Sequence, residues 1–280
     1  MRVVFVVIDA LPNHLVSERW TPNLWQMTQS GGWNRNGGRA VLSTATYPNH
    51  ATFATGRPPD SHGIFVNKVW DGDKFTIASS IGPAGDTLFL AAGRSNVSSA
   101  AVVGDHHLIG VMGAGSADSY WPPQGKRADV DLDEFRYASN TAVLEAVDAI
   151  GLVSADFSFV HFNEPDTVSH IHGPDADETK LRVKETDEAL GELIERLKPN
   201  WDDTVLIIVS DHDQELVVEY GFDLVGSLRE RGLPGLVEYE GTAAVVRNGP
   251  ALNELLLICL LYTSDAADEG LGVDLGGRRI

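Results

Sequence analysis

Side chains that can ligate a metal follow two apolar segments of this 280-residue chain. Asp9 ends the apolar run 3–8, and the pair Asp211 and His212 comes just after the run 205–209. Short apolar runs that stop at turn residues predict buried strands. Because open α/β sheets assemble their sites at the carboxyl ends of strands, we expect these three side chains to meet. Mixed oxygen and nitrogen ligands of this kind suit zinc or manganese.

Two further segments carry side chains of matching chemistry. Asp166 and His170 follow the apolar run 157–162, and their spacing places both side chains on one face of a helical turn. Thr46 offers a hydroxyl group just before a short helix predicted for residues 49–55, whose N-terminal amides favour a bound phosphate. Taken singly, each segment also fits an ordinary turn or cap. Together they have the composition of a two-metal centre with a hydroxyl nucleophile.

Five segments with these residues occur in a fixed order along roughly the first 215 residues. They are Val-Ile-Asp9-Ala, Thr46-Tyr-Pro-Asn-His-Ala-Thr, Thr55-Gly-Arg-Pro-Pro-Asp-Ser-His62-Gly-Ile, Asn163-Glu-Pro-Asp166-Thr-Val-Ser-His170-Ile-His172-Gly-Pro and Ser210-Asp211-His212. In this order they resemble the alkaline phosphatase superfamily, and most closely the type I phosphodiesterase/nucleotide pyrophosphatase family. The threonine segment and the Glu-Pro-Asp-x-x-x-His segment are specific to that family, whereas the Asp-His pair is shared across the superfamily.

The resemblance implies two divalent metal ions, with zinc expected and manganese as the alternative. The ligands it implies for the first ion are Asp9, Thr46, Asp211 and His212, and those that begin the second site are Asp166 and His170. It also implies that the Thr46 hydroxyl attacks phosphorus and forms a covalent intermediate, because coordination to a cation lowers the pKa of a hydroxyl group. Asn67 matches the asparagine that donates to a phosphoryl oxygen, and an ordinary turn residue is its alternative interpretation.

The chain departs from the family pattern at two places. Asp213 stands where the family usually has glycine, and it either binds a group near the metals or turns outward. The family completes its second metal site with a histidine near the C-terminus, and this chain has no histidine after His212. We therefore expect the second site to bind metal weakly and the 280-residue chain to be a poor enzyme.

The other histidines near these segments have simpler interpretations. His50 and His62 belong to the resembling segments and are expected to hydrogen-bond the backbone near the site. His106 and His107 have no family counterpart, and we predict that they are loop residues rather than ligands. His172 either lines the second site or only caps a turn, and the sequence leaves both open.

The alternation of strand and helix patterns predicts a mainly parallel sheet with helices on both faces. The expected fold class is α/β, a three-layer α/β/α sandwich of the alkaline phosphatase type. Thr21 is predicted to cap the first helix. Residues 105–136 show no hydrophobic periodicity, which predicts a long irregular excursion near the site. Leu181 is predicted to face inward from a helix over 177–197, and residues 238–246 to form an edge strand.

We predict one catalytic domain over residues 1–258 that lacks its C-terminal part. Residues 259–280 resemble a translated sequencing adapter and are expected to be an artefactual tail, with a natural acidic tail as the alternative. The single cysteine, Cys259, lies in that tail, so disulfide and thiol chemistry is excluded for the rest. The apolar residues 255–258 are expected to have lost their packing partner.

The charge of the chain limits its partners. A formal net charge of −19 argues against a nucleic-acid backbone or an anionic membrane surface. It does not argue against a small phosphate-ester substrate, because bound cations invert the local field. No stretch reaches the roughly 18 apolar residues of a transmembrane helix. The first strand begins directly after Met1 and Arg2, so we expect a cytoplasmic protein without a leader.

The sequence thus predicts metal-dependent hydrolysis of phosphoric esters, with phosphodiesters or nucleotide pyrophosphates favoured as substrates. A phosphomonoesterase and a phosphonate hydrolase of the same superfamily are the alternatives. A sulfatase would need cysteine or serine at the position of Thr46. A catalytically silent metal-binding homologue is the alternative from another functional class.

Overall fold

The computed structural model describes residues 1–216, 223–232, 237–240 and 243–246. Residues 255–258 and 259–280, for which the sequence makes predictions, lie outside the described residues. The strands are β1 (Arg2–Ile8), β2 (Lys68–Trp70), β3 (Phe75–Ile77), β4 (Ser99–Val103), β5 (Ser119–Trp121), β6 (Phe157–Phe162), β7 (Thr204–Val209), β8 (Val237–Glu240) and β9 (Ala243–Val246). The helices are α1 (Pro22–Ser30), α2 (Thr46–Thr55), α3 (Pro59–His62), α4 (Leu88–Arg94), α5 (Leu108–Val111), α6 (Asn140–Ala149), α7 (Glu164–His172), α8 (Asp177–Leu197) and α9 (Leu224–Glu230).

A five-stranded sheet in the order β5-β4-β6-β1-β7 forms the middle layer. All four strand pairings within it are parallel. The three strands predicted to carry site residues, β1, β6 and β7, are therefore direct neighbours, and their carboxyl ends meet at one edge. The predicted mainly parallel α/β fold is confirmed.

Helices cover the sheet on both faces, as the apolar strands require. On one face, Val4 and Val6 of β1 pack in a core with α6 and α8, to which Leu190 contributes. On the other face, Val7 packs in a second core with α2, α4 and α5, where Phe89 is fully buried. Successive strand residues point to opposite faces, so the alternation along β1 supplies both cores.

Thr21 precedes α1 as predicted, but its side chain does not cap the helix. Its hydroxyl instead bonds the carbonyls of Leu15 and Ser17. The carboxylate of Asp187, on α8, accepts the first free amides of the helix, including that of Leu24 at 2.8 Å. A negative charge is favourable at a helix N-terminus, so a residue far away in the sequence replaces the local cap.

Three other sequence predictions need correction. Residues 105–136 are not only an excursion, because they contain α5 and the edge strand β5, which pairs with β4 in parallel. Leu181 is 56% exposed. It lies two residues, about 200° of helical rotation, before the buried Val183, and so on the opposite face of α8. The predicted edge strand 238–246 is an antiparallel hairpin of β8 and β9.

Candidate metal centre

Four ligand atoms converge where β1, β7 and α2 meet. Nε2 of His212 lies 3.2 Å from Oγ1 of Thr46, 3.5 Å from Oδ1 of Asp9 and 3.6 Å from Oδ2 of Asp211. Neighbouring ligands of a tetrahedral zinc ion with bonds of 2.0–2.1 Å are about 3.3 Å apart. The structure thus brings together the four residues predicted for the first metal site, at separations that suit one shared cation.

The parallel register of β1 and β7 positions the two carboxylates. Val7 pairs with Val209, so Asp9 and Asp211 each follow a paired residue by two positions and emerge at the same edge. The backbone amide of Ala10 then donates to Oδ1 of Asp211 at 3.2 Å. Ala10 has a φ of 54°, a value that is uncommon for a residue with a Cβ atom.

The polar atoms of this cluster fit a divalent cation. Oδ1 of Asp9 and Oδ2 of Asp211 are buried and have no hydrogen-bond partner among the described residues. Burial, and then the carboxylates of Asp211 and Asp166, raise the pKa of Asp9 well above its ordinary value. Carboxylates gathered away from water are unfavourable unless a cation pairs with them. A divalent metal ion would offset both the burial and the mutual repulsion.

The two residues predicted to begin the second site lie on α7, beside the first cluster. A carboxylate oxygen of Asp166 lies within 4.8 Å of ligand atoms of Asp9 and His212. Nε2 of His170 is 3.4 Å from Oδ1 of Asp166, and the His170 side chain is 55% exposed. Gln214, which the sequence analysis did not identify, donates to the same Asp166 oxygen at 2.6 Å. Of the two residues predicted for the second site, His170 therefore borders solvent, whereas Asp166 is buried.

Asp133 holds the start of α7 in place, and the sequence analysis missed it as well. Its Oδ2 accepts from Thr167 Oγ1 at 2.7 Å and from Asn163 Nδ2 at 3.1 Å. Its Oδ1 accepts from the backbone amides of Phe135 and Tyr137 at 3.0 and 2.9 Å. This carboxylate ties the segment before α6 to the helix that carries Asp166. A lone aspartate in an aperiodic segment gives no sequence signal of such a role.

Thr46 is the first residue of α2, which begins three residues earlier than predicted. Pro48 is compatible with this start because the first amides of a helix have no carbonyl partner to lose. Two neighbours hold this turn. Oδ1 of Asn67 accepts from the amide of Tyr47 at 3.1 Å, and Nδ1 of His50 lies 2.8 Å from the carbonyl oxygen of Thr46. The backbone contact of His50 agrees with its predicted structural role, and Asn67 lies next to the nucleophile candidate.

Other polar residues of the matching segments contribute little to the cluster. Asp213 is exposed and accepts from the amide that follows it, so it turns outward. His62 contacts Thr52 Oγ1 at 3.0 Å through Nε2 and accepts from the amide of Ile64 through Nδ1, a structural role as predicted. The side chain of His172 is exposed.

A second group of ligand-type side chains, Asp105, His106 and His107, lies just before α5. The amide of His107 donates to Oδ1 of Asp105 at 2.9 Å, and the amide of Leu108 donates to the Asp105 carbonyl at 3.1 Å. These bonds are those of a turn closed by an aspartate. Nδ1 of His107 contacts the hydroxyl of Ser79 at 3.1 Å. The geometry thus agrees with the predicted loop role of the two histidines.

We expect Asp105 to make the stability of the protein dependent on pH. Burial raises its pKa from 3.8 to about 7. The folded state therefore binds a proton that the unfolded state releases, and this contribution to stability is lost as the pH rises from about 4 to about 7. Relative to Asp105→Asn, the parent should lose up to roughly 4 kcal/mol of unfolding free energy across that window. Urea unfolding at pH 5 and pH 8, with a chelator present, should show roughly 3 kcal/mol of this loss. An equal difference between parent and variant at both pH values would contradict it.

The chain was compared with known families and proteins. The sequence model of the family described as Type I phosphodiesterase / nucleotide pyrophosphatase matches residues 3–254. Venom phosphodiesterase CdcPDE from Crotalus durissus collilineatus is 32% identical over 187 residues, which are 63% of this chain and 22% of that protein. The matched part of this chain thus spans less than a quarter of the length of that relative.

Solved structures show the same fold at lower identity. Murine ectonucleotide pyrophosphatase/phosphodiesterase 5 superimposes with a TM-score of 0.67 at 22% identity, covering 91% of this chain and 69% of that one. An inactive threonine-to-alanine variant of the same murine protein, solved in complex with AMP, gives a TM-score of 0.64 at 21% identity, covering 89% and 67%. Phosphonoacetate hydrolase from Sinorhizobium meliloti 1021 gives a TM-score of 0.56 at 17% identity, covering 89% and 70%.

None of the helices in the described part of the chain has both the length and the apolar character that crossing a bilayer requires. The family match covers most of the chain, and it includes every residue of the cluster around His212. This chain therefore belongs to the type I phosphodiesterase/nucleotide pyrophosphatase family.

Proposed function

We propose that this protein hydrolyses phosphoric esters, with phosphodiesters or nucleotide pyrophosphates as its preferred substrates and Thr46 as its nucleophile. The observation that carries the proposal is the convergence of the Thr46 hydroxyl with Asp9, Asp211 and His212 within 3.6 Å of one imidazole nitrogen. A hydroxyl group is a poor nucleophile at neutral pH unless a base or a cation activates it. This cluster offers the ligands for such a cation.

We propose two divalent metal ions, zinc in the first instance and manganese as the alternative. The proposed ligands are Asp9, Thr46, Asp211 and His212 for one ion, and Asp166 and His170 for the other. When bound, such ions lower the pKa of a hydroxyl ligand and neutralise the charge on a phosphoryl group. The buried atoms of Asp9 and Asp211 that lack hydrogen-bond partners among the described residues support the first site.

The protein supplies position and hydrogen bonds. Thr46 at the first position of α2 places its hydroxyl beside the N-terminal amides of a ten-residue helix, which favour the negative charge of an incoming phosphoryl group. Asn67 is bonded to the amide of Tyr47 and so lies at the same helix start. We propose that its side chain also contacts a phosphoryl oxygen of the substrate. His50 holds the Thr46 carbonyl and thereby the turn that presents the hydroxyl.

The relatives support the nucleotide substrate and the role of the threonine. The murine protein solved with AMP is described as inactive when a threonine is replaced by alanine, and the Crotalus relative is named a phosphodiesterase. A phosphonate hydrolase is the second candidate, because phosphonoacetate hydrolase shares the fold. A phosphomonoesterase and a catalytically silent metal-binding homologue are the remaining alternatives.

We further propose that residues 1–258 are an incomplete catalytic domain and that residues 259–280 are an artefactual tail. Because Asp166 and His170 give the second site two protein ligands where three are usual, metal titration of this chain should find one tight site. Restoring the natural reading frame in place of residues 259–280 should add the second. Two tight sites in the 280-residue chain would contradict this.

Turnover of chromogenic phosphoesters tests the activity. The chain, and a version in which the natural reading frame replaces residues 259–280, are stripped with a chelator and reloaded with zinc or manganese. We expect metal-dependent hydrolysis of a bis(nitrophenyl) phosphodiester faster than of the nitrophenyl monoester, and faster in the restored version. Faster monoester hydrolysis would favour the phosphomonoesterase, and tight metal binding without turnover of either ester in the restored version would favour the silent homologue.

A further inference from the structure

His161 is a polar residue in the apolar strand β6, and the centre described above does not use it as a ligand. Its side chain is fully buried. Nε2 lies 2.9 Å from Oδ2 of Asp9, which is hydrogen-bond distance. We propose that His161 is a positioning residue: its Nε2–H group holds one oxygen of Asp9 and thereby aims the other at the metal ion. This inference rests on the metal ligation proposed for Asp9.

The two oxygens of Asp9 have different surroundings. Oδ2 faces His161, whereas Oδ1 lies 3.5 Å from Nε2 of His212, in the cluster that fits the first metal ion. Oδ1 is buried and has no hydrogen-bond partner within the described part of the chain. A hydrogen bond to Oδ2 therefore fixes the rotation of the carboxylate and leaves Oδ1 to the cation. Outer partners of this kind tune many metal sites.

The hydrogen-bonding state of His161 follows from its partner. When a metal ion is bound, the Asp9 carboxylate is ionised and only accepts hydrogen bonds, so the ring must carry its proton on Nε2 to bond with Asp9. Nδ1 is buried and has no hydrogen-bond partner among the described residues.

That unpartnered nitrogen argues against a purely structural histidine. Buried polar atoms are normally hydrogen-bonded, and leaving one unpaired costs about 1–3 kcal/mol. For packing alone an aromatic hydrocarbon ring would serve, since Phe157 and Phe159 occupy the same face of β6. The ring of His161 meets the ring of His50 edge-on at 4.9 Å, a contact that phenylalanine can also make. The N–H group facing Asp9 is the feature that only histidine adds.

The register of the sheet makes the contact possible. His161 pairs with Val7 on the neighbouring strand β1, two residues before Asp9. Side chains at positions 7 and 9 point to the same face of the sheet. Asp9 at the carboxyl end of β1 thus comes within reach of the long imidazole ring from β6. A shorter polar side chain at position 161 would not span this distance.

Zinc affinity, measured by competition with a chromophoric chelator, tests the role without relying on turnover. His161→Phe keeps the ring and removes the donor, and we expect zinc binding at the first site to weaken by about 10- to 100-fold. His161→Gln carries an amide N–H group at a similar reach, and it should recover most of that loss. Phe157→Leu, on the same face of β6 but away from Asp9, is the matched control. It should lower the unfolding free energy while the zinc affinity stays that of the parent.

The outcomes separate this inference from the proposed function. If the parent binds no zinc, the proposed metal centre is wrong, and so is this inference. If the parent binds zinc and folded His161→Phe binds it equally well, only the role of His161 is wrong. If His161→Phe does not fold, the position of the ring proton in the zinc-loaded parent tests the inference. Nitrogen-15 correlation spectra of the imidazole must show the proton of His161 on Nε2, and a proton on Nδ1 would overturn the assignment.

Discussion

Thr46→Ala is expected to abolish hydrolysis of phosphodiesters by the metal-loaded protein, with a loss of kcat on the order of 10³-fold or more, as removal of a nucleophile usually causes. The reason is that alanine lacks the hydroxyl group proposed to attack phosphorus. Metal content should change little, because Asp9, Asp211 and His212 remain as ligands of the first ion. Rates and zinc content are measured on the same preparations, both in this chain and in the version proposed above to restore the natural reading frame.

Thr46→Ser is the matched control, because serine keeps the hydroxyl group and loses only a methyl group. It should retain measurable turnover, well above that of Thr46→Ala. If Thr46→Ala hydrolyses the diester as fast as the parent, another group attacks phosphorus. If both variants are equally inactive with full metal content, the methyl group or the exact position of the hydroxyl decides the rate instead.

Asp211→Asn is expected to weaken zinc binding at the first site by about 100- to 1,000-fold. Zinc sites with four ligands contribute about 10–16 kcal/mol, which is roughly 2.5–4 kcal/mol for each ligand. The asparagine side chain keeps the size of the aspartate and can still accept from the amide of Ala10, which bonds Asp211 at 3.2 Å. The loss of zinc affinity therefore measures the contribution of the charge and the ligand oxygen of Asp211, and not a change in the fold of the turn. Competition with a chromophoric chelator measures it.

Asp213→Asn provides the matched control for this experiment. It removes the same charge two residues away, but Asp213 is exposed and points away from the cluster. Its zinc affinity should equal that of the parent within about two-fold, since exposed charges are screened by solvent. Equal affinities of Asp211→Asn and the parent would show that Asp211 is not a ligand. A large effect of Asp213→Asn would instead point to a general dependence on net charge.

The sequence alone determined the strands that build the centre. Apolar runs followed by acidic residues locate β1, β6 and β7. For β1 and β6 the reason is that burial on both faces of a parallel sheet demands continuous apolar segments. The edge strand β7 is apolar as well, but it is not buried as predicted, since Val205 and Ile207 are exposed. The rule that strand carboxyl ends share one edge then predicted that Asp9, Asp211 and His212 would meet, and they do. The Asp166–His170 spacing likewise predicted two neighbouring side chains on one helical turn. These patterns involve residues close together in the sequence, and such patterns can be recognised without a structure.

Only the tertiary structure decided which residues surround that centre. Asp187 caps α1 from 163 residues away in the sequence. Asp133 bonds residues at the start of α7 that are 30 and 34 residues away. Gln214 reaches Asp166 across 48 residues, and His161 reaches Asp9 across 152. Such contacts leave no periodic trace, because they depend on strand order and register rather than on spacing along the chain. The sequence determined which candidate ligands meet at this edge of the sheet, and the packing of the sheet decided what holds them.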